Sequence, residues 1–169
     1  MRNISYLWTF PMDLLLWLLW ILPFWGLWGE HLRFQRGALV FNLKKDSWPS
    51  RTWYKNWGGT TLGNAIMYGH GRGFDDRIRI HEEFHQKQYH GVMLSAFLTQ
   101  LALVPAVLPG HSVLFTVVLC VVIWNTGYIR WGLGNLLDAL IEEKGNAYRN
   151  SSHEQAAYAV DAQFEENKL

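Results

Sequence analysis

Long apolar stretches constrain the fold of this chain more than any other feature. Residues 7–28 are rich in Leu and Trp, and residues 92–129 are apolar except around Pro109-Gly110. A helix of about 20 apolar residues can cross a bilayer, and the second stretch is long enough to do so twice, with a turn at this dipeptide. Half of the 169 residues are hydrophobic and only 17% are charged, which is unusual for a soluble domain. The pattern predicts about three transmembrane or membrane-embedded helices.

The remaining segments predict one domain, a mainly α membrane protein with a small β element. The expected parts are a membrane helix over 7–28, a strand pair and a polar helix over 37–90, a helical hairpin over 92–129, and C-terminal helices over 133–166. The strand candidates are 37–43 and 60–68. A net charge of +1 leaves no basic excess to neutralise phosphates, which argues against a nucleic-acid partner.

The basic residues predict how the chain crosses the membrane. Only Arg2 precedes the first apolar segment, whereas Lys and Arg recur between that segment and the second. Cytoplasmic flanks are enriched in these residues, so we expect an outside N-terminus and a cytoplasmic region 37–90. No small-x-small cleavage site follows the first segment, which favours an uncleaved helix over a secretory signal peptide. Asp13, near the start of this helix, is expected to reach the interface.

The polar segment before the second apolar stretch contains His81-Glu82-Glu83-Phe84-His85. On a helix, side chains four residues apart project from one face, so the two imidazoles lie one turn apart. Two neutral imidazoles at that spacing can share a tetrahedral Zn²⁺ and leave positions for a third ligand and a water. Glu82 can then serve as a general base. The alternative is a polar helix end whose histidines are only solvated.

His81-Glu82-x-x-His85 with a later Glu resembles the gluzincin group of zinc metallopeptidases. The metzincin pattern does not fit, because it requires Gly and His where Gln88 and Gly91 stand. The wider arrangement is similar to small bacterial membrane proteins that carry Thr-Leu-Gly-Asn, His-Glu-x-x-His-x-x-Gln and Glu-x-x-Ala-Tyr in this order, matched here by 61–64, 81–88 and 154–158. The resemblance implies that Glu154 is the third zinc ligand.

Alternatives to a Glu154 ligand remain open. Ser151-x-x-Glu154 is also a capping box, in which the Glu only ties down a helix start. The other candidate ligands are Glu142, Glu143 and His153. The chain departs from the thermolysin-like pattern, in which an Asp four residues after the Glu ligand orients the first histidine. Tyr158 stands at that position, and Asp161 follows nearly two turns after Glu154.

Together these residues predict a membrane-bound zinc-dependent metallohydrolase, a peptidase with its active site facing the cytoplasm. The resemblance implies that the membrane is the bacterial cytoplasmic membrane. The expected cofactor is Zn²⁺, and the expected partners are a peptide or protein substrate and the lipid bilayer. Segment 60–68 is the candidate for holding the substrate backbone by strand addition. Residues expected near the ligands or the substrate are Tyr158, Gln88 and His70. The alternatives are a catalytically inactive metal-binding membrane scaffold or partner protein, and a hydrolase for lipid-linked substrates.

Overall fold

The computed structural model describes residues 9, 13–55, 57–126 and 152–167. This part of the chain is mostly helical with a small β element, as the sequence predicted, but that element is a mixed four-stranded sheet and not the expected strand pair. Its helices and strands, in chain order, are α1 (Asp13–Trp28), β1 (Gly29–Gln35), β2 (Ala38–Leu43), α2 (Trp48–Arg51), β3 (Gly59–Leu62), β4 (Ala65–Tyr68), α3 (Asp76–Val107), α4 (Val113–Thr126) and α5 (Ser152–Glu166).

Two tight hairpins and one parallel pairing build the sheet, whose strand order is β1-β2-β4-β3. β1 and β2 are joined through Arg36 and Gly37, and both residues have a positive φ, as a type I′ turn requires. β3 and β4 are joined through Gly63 and Asn64. The pairing of β2 with β4 is parallel and completes the sheet. β3 therefore lies at one edge, with β4 as its neighbour.

The predicted strand over 37–43 is β2, but segment 60–68 forms two strands and not one. The chain reverses at Gly63, whose φ of 59° is accessible to glycine at little steric cost. β1 was not predicted from the sequence, because its polar side chains and a β-bulge interrupt the period-two pattern.

The sheet lies between α1 and α3, because successive side chains of each strand point to opposite faces. On the α1 face the buried core residues are Leu16, Ile21, Phe41, Leu43, Tyr54, Ala65 and Met67. On the other face they are Ala38, Val40, Ile66 and Tyr68, and Ile78 of α3 packs against them. This packing fixes the polar part of α3, residues 76–91, on the sheet beside the edge strand β3.

α3 and α4 form a helical hairpin over the part of 92–129 that the structure describes. A short 3₁₀ turn at Leu108–Gly110 follows α3. Gln100 Nε2 donates a hydrogen bond to the Cys120 carbonyl oxygen at 2.8 Å, which ties the two helices together. Asn125 Nδ2, in contrast, donates to the Val121 carbonyl oxygen of its own helix at 2.7 Å.

One helix in the described ranges is long and apolar enough to cross a membrane, Asp76–Ala106 within α3. It continues through Gly91 and Pro105 without a break. α1 and α4 are apolar but shorter over the residues that the structure describes. The helix in the first predicted membrane segment, 7–28, ends at Trp28, and β1 begins at the next residue.

A buried polar network at Asn64 connects α1, the β3–β4 turn and α3. The Asn64 amide group donates to the Asp13 carboxylate. The amide oxygen accepts a hydrogen bond from Gln86 at 3.0 Å and lies within hydrogen-bond distance of His90. Asp13 also accepts from the Tyr89 hydroxyl at 3.1 Å and is only 1% exposed. The expectation that Asp13 reaches the interface is therefore wrong, because its carboxylate is satisfied inside the protein.

Replacement of Asn64 by Ala is expected to destabilise the protein by about 2–4 kcal/mol, because Asp13 and Gln86 would each lose a buried hydrogen-bond partner. Chemical denaturation of the detergent-purified protein measures this change. The control is Asn167→Ala, since Asn167 is exposed and its amide group bonds only to Gln163 one turn away in the described structure. A loss below about 1 kcal/mol for Asn64→Ala would show that the network contributes little to stability.

Candidate metal centre

Three potential ligands from α3 and α5 converge at one point. The Nε2 atoms of His81 and His85 are 3.1 Å apart. Glu154 Oε2 lies 3.3 Å from the first of these atoms, and Glu154 Oε1 lies 3.1 Å from the second. His85 and Glu154 are buried, and the His81 side chain is 13% exposed. The structure thus brings together the three residues that the sequence suggested as metal ligands.

The helical spacing of these residues explains the convergence. His81 and His85 are one turn apart on α3, and their ring centroids are 4.7 Å apart. α5 packs against α3 and presents Glu154 to the two rings. Ala157, one turn further along α5, is fully buried, and its small side chain allows a close approach of the helix.

The donor geometry fits a tetrahedral divalent cation. Around zinc, with bond lengths of about 2.0–2.1 Å, neighbouring tetrahedral donors lie about 3.3 Å apart. Here the two histidine nitrogens are 3.1 Å apart, and each lies 3.1–3.3 Å from a different oxygen of the Glu154 carboxylate. Two imidazole nitrogens and one carboxylate oxygen also form a donor set of catalytic zinc sites that leaves a fourth position open. The group can therefore hold a metal ion.

The other ring nitrogen of each histidine has a hydrogen-bond partner. His81 Nδ1 lies 3.1 Å from Asp161 Oδ2, and His85 Nδ1 lies 2.8 Å from Gln88 Oε1. An N–H donated from Nδ1 leaves Nε2 with the lone pair that a metal ligand needs. Gln88 Nε2 also donates to the main-chain oxygen of His153 at 3.1 Å, which connects α3 to α5.

Asp161 as the partner of His81 was not predicted from the sequence. The thermolysin-like pattern places the partner of the first histidine four residues after the Glu ligand, where this chain has Tyr158. Asp161 follows Glu154 by seven residues, and residues seven apart return to the same helix face after two turns. The i+7 spacing from Glu154 was therefore the available signal.

Removal of the Asp161 carboxylate is expected to weaken metal binding by about 10–100-fold, because His81 would lose the group that fixes its orientation. Competition with a chromogenic chelator measures the affinity of Asp161→Ala. The matched control is Glu165→Ala, which removes an exposed carboxylate from the same helix. Equal affinities in the two variants would contradict a role for Asp161 at the metal.

The surrounding carboxylates favour the protonated, positively charged forms of His81 and His85. Burial lowers the pKa of His81 and His85, but hydrogen bonding to Glu154 and its negative charge, with further carboxylates, outweigh this effect. The pKa of His81 rises to about 9 as a result. A metal ion and protons therefore compete for the same nitrogen atoms.

Glu82 lies on the side of α3 that faces β3. Thr61 Oγ1 is 2.8 Å from Glu82 Oε2 and 2.9 Å from the Glu82 main-chain oxygen. Burial raises the pKa of Glu82 above its usual value, which brings the carboxylate nearer to the range that suits a general base. A Cβ at Gly59 would lie 2.9 Å from Glu82 Cγ, so this strand position must be small for Glu82 to occupy its place.

An open cavity of about 410 Å³ gives access to these groups. Its walls include His81, Glu82, Glu154 and Tyr158, and a cavity of this size can accept part of a peptide. The Tyr158 ring lies 5.2 Å from the His81 ring, between centroids. Tyr158 is thus close to the candidate metal ligands.

The structure places His70 apart from this cavity. His70 is exposed on the loop after β4, and its Nδ1 lies 3.5 Å from Glu30 Oε1 on β1. The loop directs the side chain towards β1, so the prediction of a substrate contact finds no support. The alternative ligands Glu142 and Glu143, and the capping residue Ser151, lie outside the described residues.

No protein-family model matches the chain, and neither does any curated protein or solved structure. The chemistry of the site is therefore inferred from its own residues.

Proposed function

We propose that the chain is a membrane-bound zinc-dependent metallohydrolase of gluzincin type that hydrolyses peptide bonds near the membrane surface. The supporting observation is that Glu82 lines the same cavity as His81 and Glu154, which form a three-donor cluster with His85. A metal site with a purely structural role does not need an additional buried carboxylate, whereas hydrolysis needs a base beside the metal.

The residues around the site have complementary roles in this proposal. Zinc, when bound, would lower the pKa of a water molecule and polarise the carbonyl group of the substrate. Glu82 would accept the proton of the attacking water and deliver it to the leaving amine. Thr61 holds the Glu82 carboxylate in position, and Asp161 and Gln88 keep the Nε2 atoms of the histidines directed at the metal.

The edge strand β3 offers a surface for the substrate backbone. β3 pairs with β4 on one side and ends the sheet on the other. A strand edge can bind an extended peptide through main-chain hydrogen bonds. Gly58 and Gly59, at the start of β3, line the cavity together with Glu82. A peptide added to this edge would therefore pass directly in front of the proposed base.

Exposed apolar side chains support attachment to a membrane through all three apolar helices. Large exposed residues on α1, α3 and α4 include Leu18, Leu19, Trp20, Leu98, Leu101, Val113, Leu114, Val118 and Val122. Many large apolar side chains exposed on the same helices are typical of membrane contact. We place the start of the embedded part of α3 near Val92, about 10 Å along the helix axis from His85. The metal centre would then lie close to the membrane surface on the cytoplasmic side.

Single cysteines in a Cys120→Ala background test this topology. We expect a membrane-impermeant thiol reagent to label a cysteine at His111 in intact cells and to leave a cysteine at Ser47 unlabelled, because the α3–α4 turn would be outside. Permeabilised cells should label both positions, which controls for accessibility. Labelling of Ser47 with protection of His111 would reverse the orientation, and complete extraction of the protein at alkaline pH would argue against membrane embedding.

Hydrolysis can be tested on the detergent-purified, zinc-loaded protein with a mixture of unstructured peptides. We expect peptide-bond cleavage, identified by mass spectrometry, that stops with a chelator and returns when zinc is added. A protein that binds stoichiometric zinc but cleaves no peptide would favour the alternative of an inactive metal-binding scaffold.

A further inference from the structure

The cavity at the metal centre contains two arginines that the proposed hydrolysis does not use. Arg72 and Arg77 line it, and Trp57 forms an apolar wall that is 51% exposed. The four acidic residues that line the cavity are Asp75, Glu82, Glu154 and Asp161. Glu154 is a candidate metal ligand and Glu82 is the proposed base. Asp161 contacts His81, and Asp75 caps the start of α3. Arg77 has one long contact, to Asp161, and the acidic residues of the cavity leave Arg72 for a ligand.

The main chain holds Arg72 at the rim of the cavity. Its N–H donates to the Gly69 carbonyl oxygen, and its own carbonyl oxygen accepts from the N–H of Asp75, both at 3.0 Å. Gly69 N–H in turn donates to the Gly58 carbonyl oxygen at 3.0 Å, which fixes the loop against the start of β3. The Arg72 side chain is exposed and forms no ion pair with any residue in the described ranges. The main chain of Arg72 is thus fixed next to the proposed substrate strand, and its guanidinium group is exposed to a ligand.

Arg77 lies nearer the metal centre and is only partly engaged. Its Nε is 3.8 Å from Asp161 Oδ2, which is longer than a hydrogen bond, and its side chain is 58% exposed. Asp161 Oδ2 is closer to His81, at 3.1 Å. Arg77 therefore keeps donor capacity for an anionic ligand in the cavity.

We propose that Arg72, assisted by Arg77, binds a carboxylate of the peptide substrate. The inference rests on the proposed function and specifies its substrate class, peptides with a carboxylate near the scissile bond. A guanidinium group matches a carboxylate in geometry and charge, and the apolar wall at Trp57 accommodates the methylene groups of an acidic side chain. The carboxylate can belong to an acidic side chain or to the C-terminus of the peptide, since both present the same group.

Equilibrium binding separates recognition from hydrolysis. The zinc-loaded Glu82→Gln protein is titrated into fluorescein-labelled peptides, and the Kd is measured by anisotropy. One pair of peptides has a central Glu or Gln with an amidated C-terminus. A second pair has a central Gln with a free or amidated C-terminus. We expect at least one carboxylate peptide to bind about tenfold more tightly than its neutral counterpart, and the pair that shows the preference identifies the source of the carboxylate.

The same titration with an added Arg72→Gln substitution is expected to bring the Kd ratio close to one. Arg51→Gln is the matched control, because Arg51 is an exposed arginine on α2 that does not line the cavity, and it should keep the preference. Zinc content verifies that each variant is folded at the site. Equal Kd values within both peptide pairs, or a preference that survives Arg72→Gln, would overturn the inference. Cleavage of peptides by the wild type in that case would leave the proposed function intact, whereas carboxylate selection without cleavage would contradict only the hydrolysis.

Discussion

Substitution of Glu82 by Gln is expected to lower peptide hydrolysis by about 10²–10⁴-fold and to leave the metal bound. The amide has nearly the same shape as the carboxylate and can still bond to Thr61, but it cannot accept a proton from water. The metal ligand candidates His81, His85 and Glu154 are unchanged in this variant. Cleavage rates and zinc content, measured on the same preparation, test both parts of the expectation.

Glu83→Gln is the control, because it removes the same charge one residue further along α3. The Glu83 carboxylate accepts hydrogen bonds from Arg36 at 2.7 Å and Arg79 at 3.2 Å, on the side of the helix away from the metal ligands. We expect Glu83→Gln to keep most of the activity. Full activity in Glu82→Gln would exclude Glu82 as the base, and equal losses in both variants would indicate an effect of net charge.

Local sequence patterns predicted the elements whose conformation is decided by nearby residues. The four-residue spacing of His81 and His85 and the apolar run after them predicted α3, since both follow the helical period. β2 was predicted from a short apolar run between turn residues. The β3–β4 hairpin was missed because its reversal depends on the single positive φ at Gly63, inside an otherwise continuous β pattern.

The contacts that were missed connect residues far apart in the chain. Asp13 was expected at the interface, yet its carboxylate is satisfied by Asn64 and Tyr89, which are 51 and 76 residues away. The residue pattern of the first apolar segment does not indicate hydrogen-bond partners that lie so far away in the chain. Asp161 pairs with His81 across 80 residues, so only its i+7 relation to Glu154 was visible in the sequence. The prediction of a substrate contact for His70 rested only on its residue type and its place in a loop. The sequence of a loop does not show where a side chain points.

Loss of the Glu154 side chain is expected to have the largest effect on metal affinity among single substitutions on α5. Both carboxylate oxygens lie 3.1–3.3 Å from the histidine nitrogens, and the residue is 4% exposed. Glu154→Ala would leave two ligands, so the affinity should fall by more than the 10–100-fold that loss of an outer partner causes. Chelator competition gives the affinity, and His85→Ala serves as a second ligand deletion that should behave alike.

A purely capping role for Glu154 predicts a different result. Loss of a helix cap costs about 1 kcal/mol of stability and leaves metal binding intact. Ser151→Ala removes the other half of the capping box and reports this cost separately. If Glu154→Ala and Ser151→Ala both retain stoichiometric zinc with similar small losses of stability, Glu154 is a cap and not a ligand. The short distances to His81 and His85 instead lead us to expect normal zinc content in Ser151→Ala and depleted zinc in Glu154→Ala.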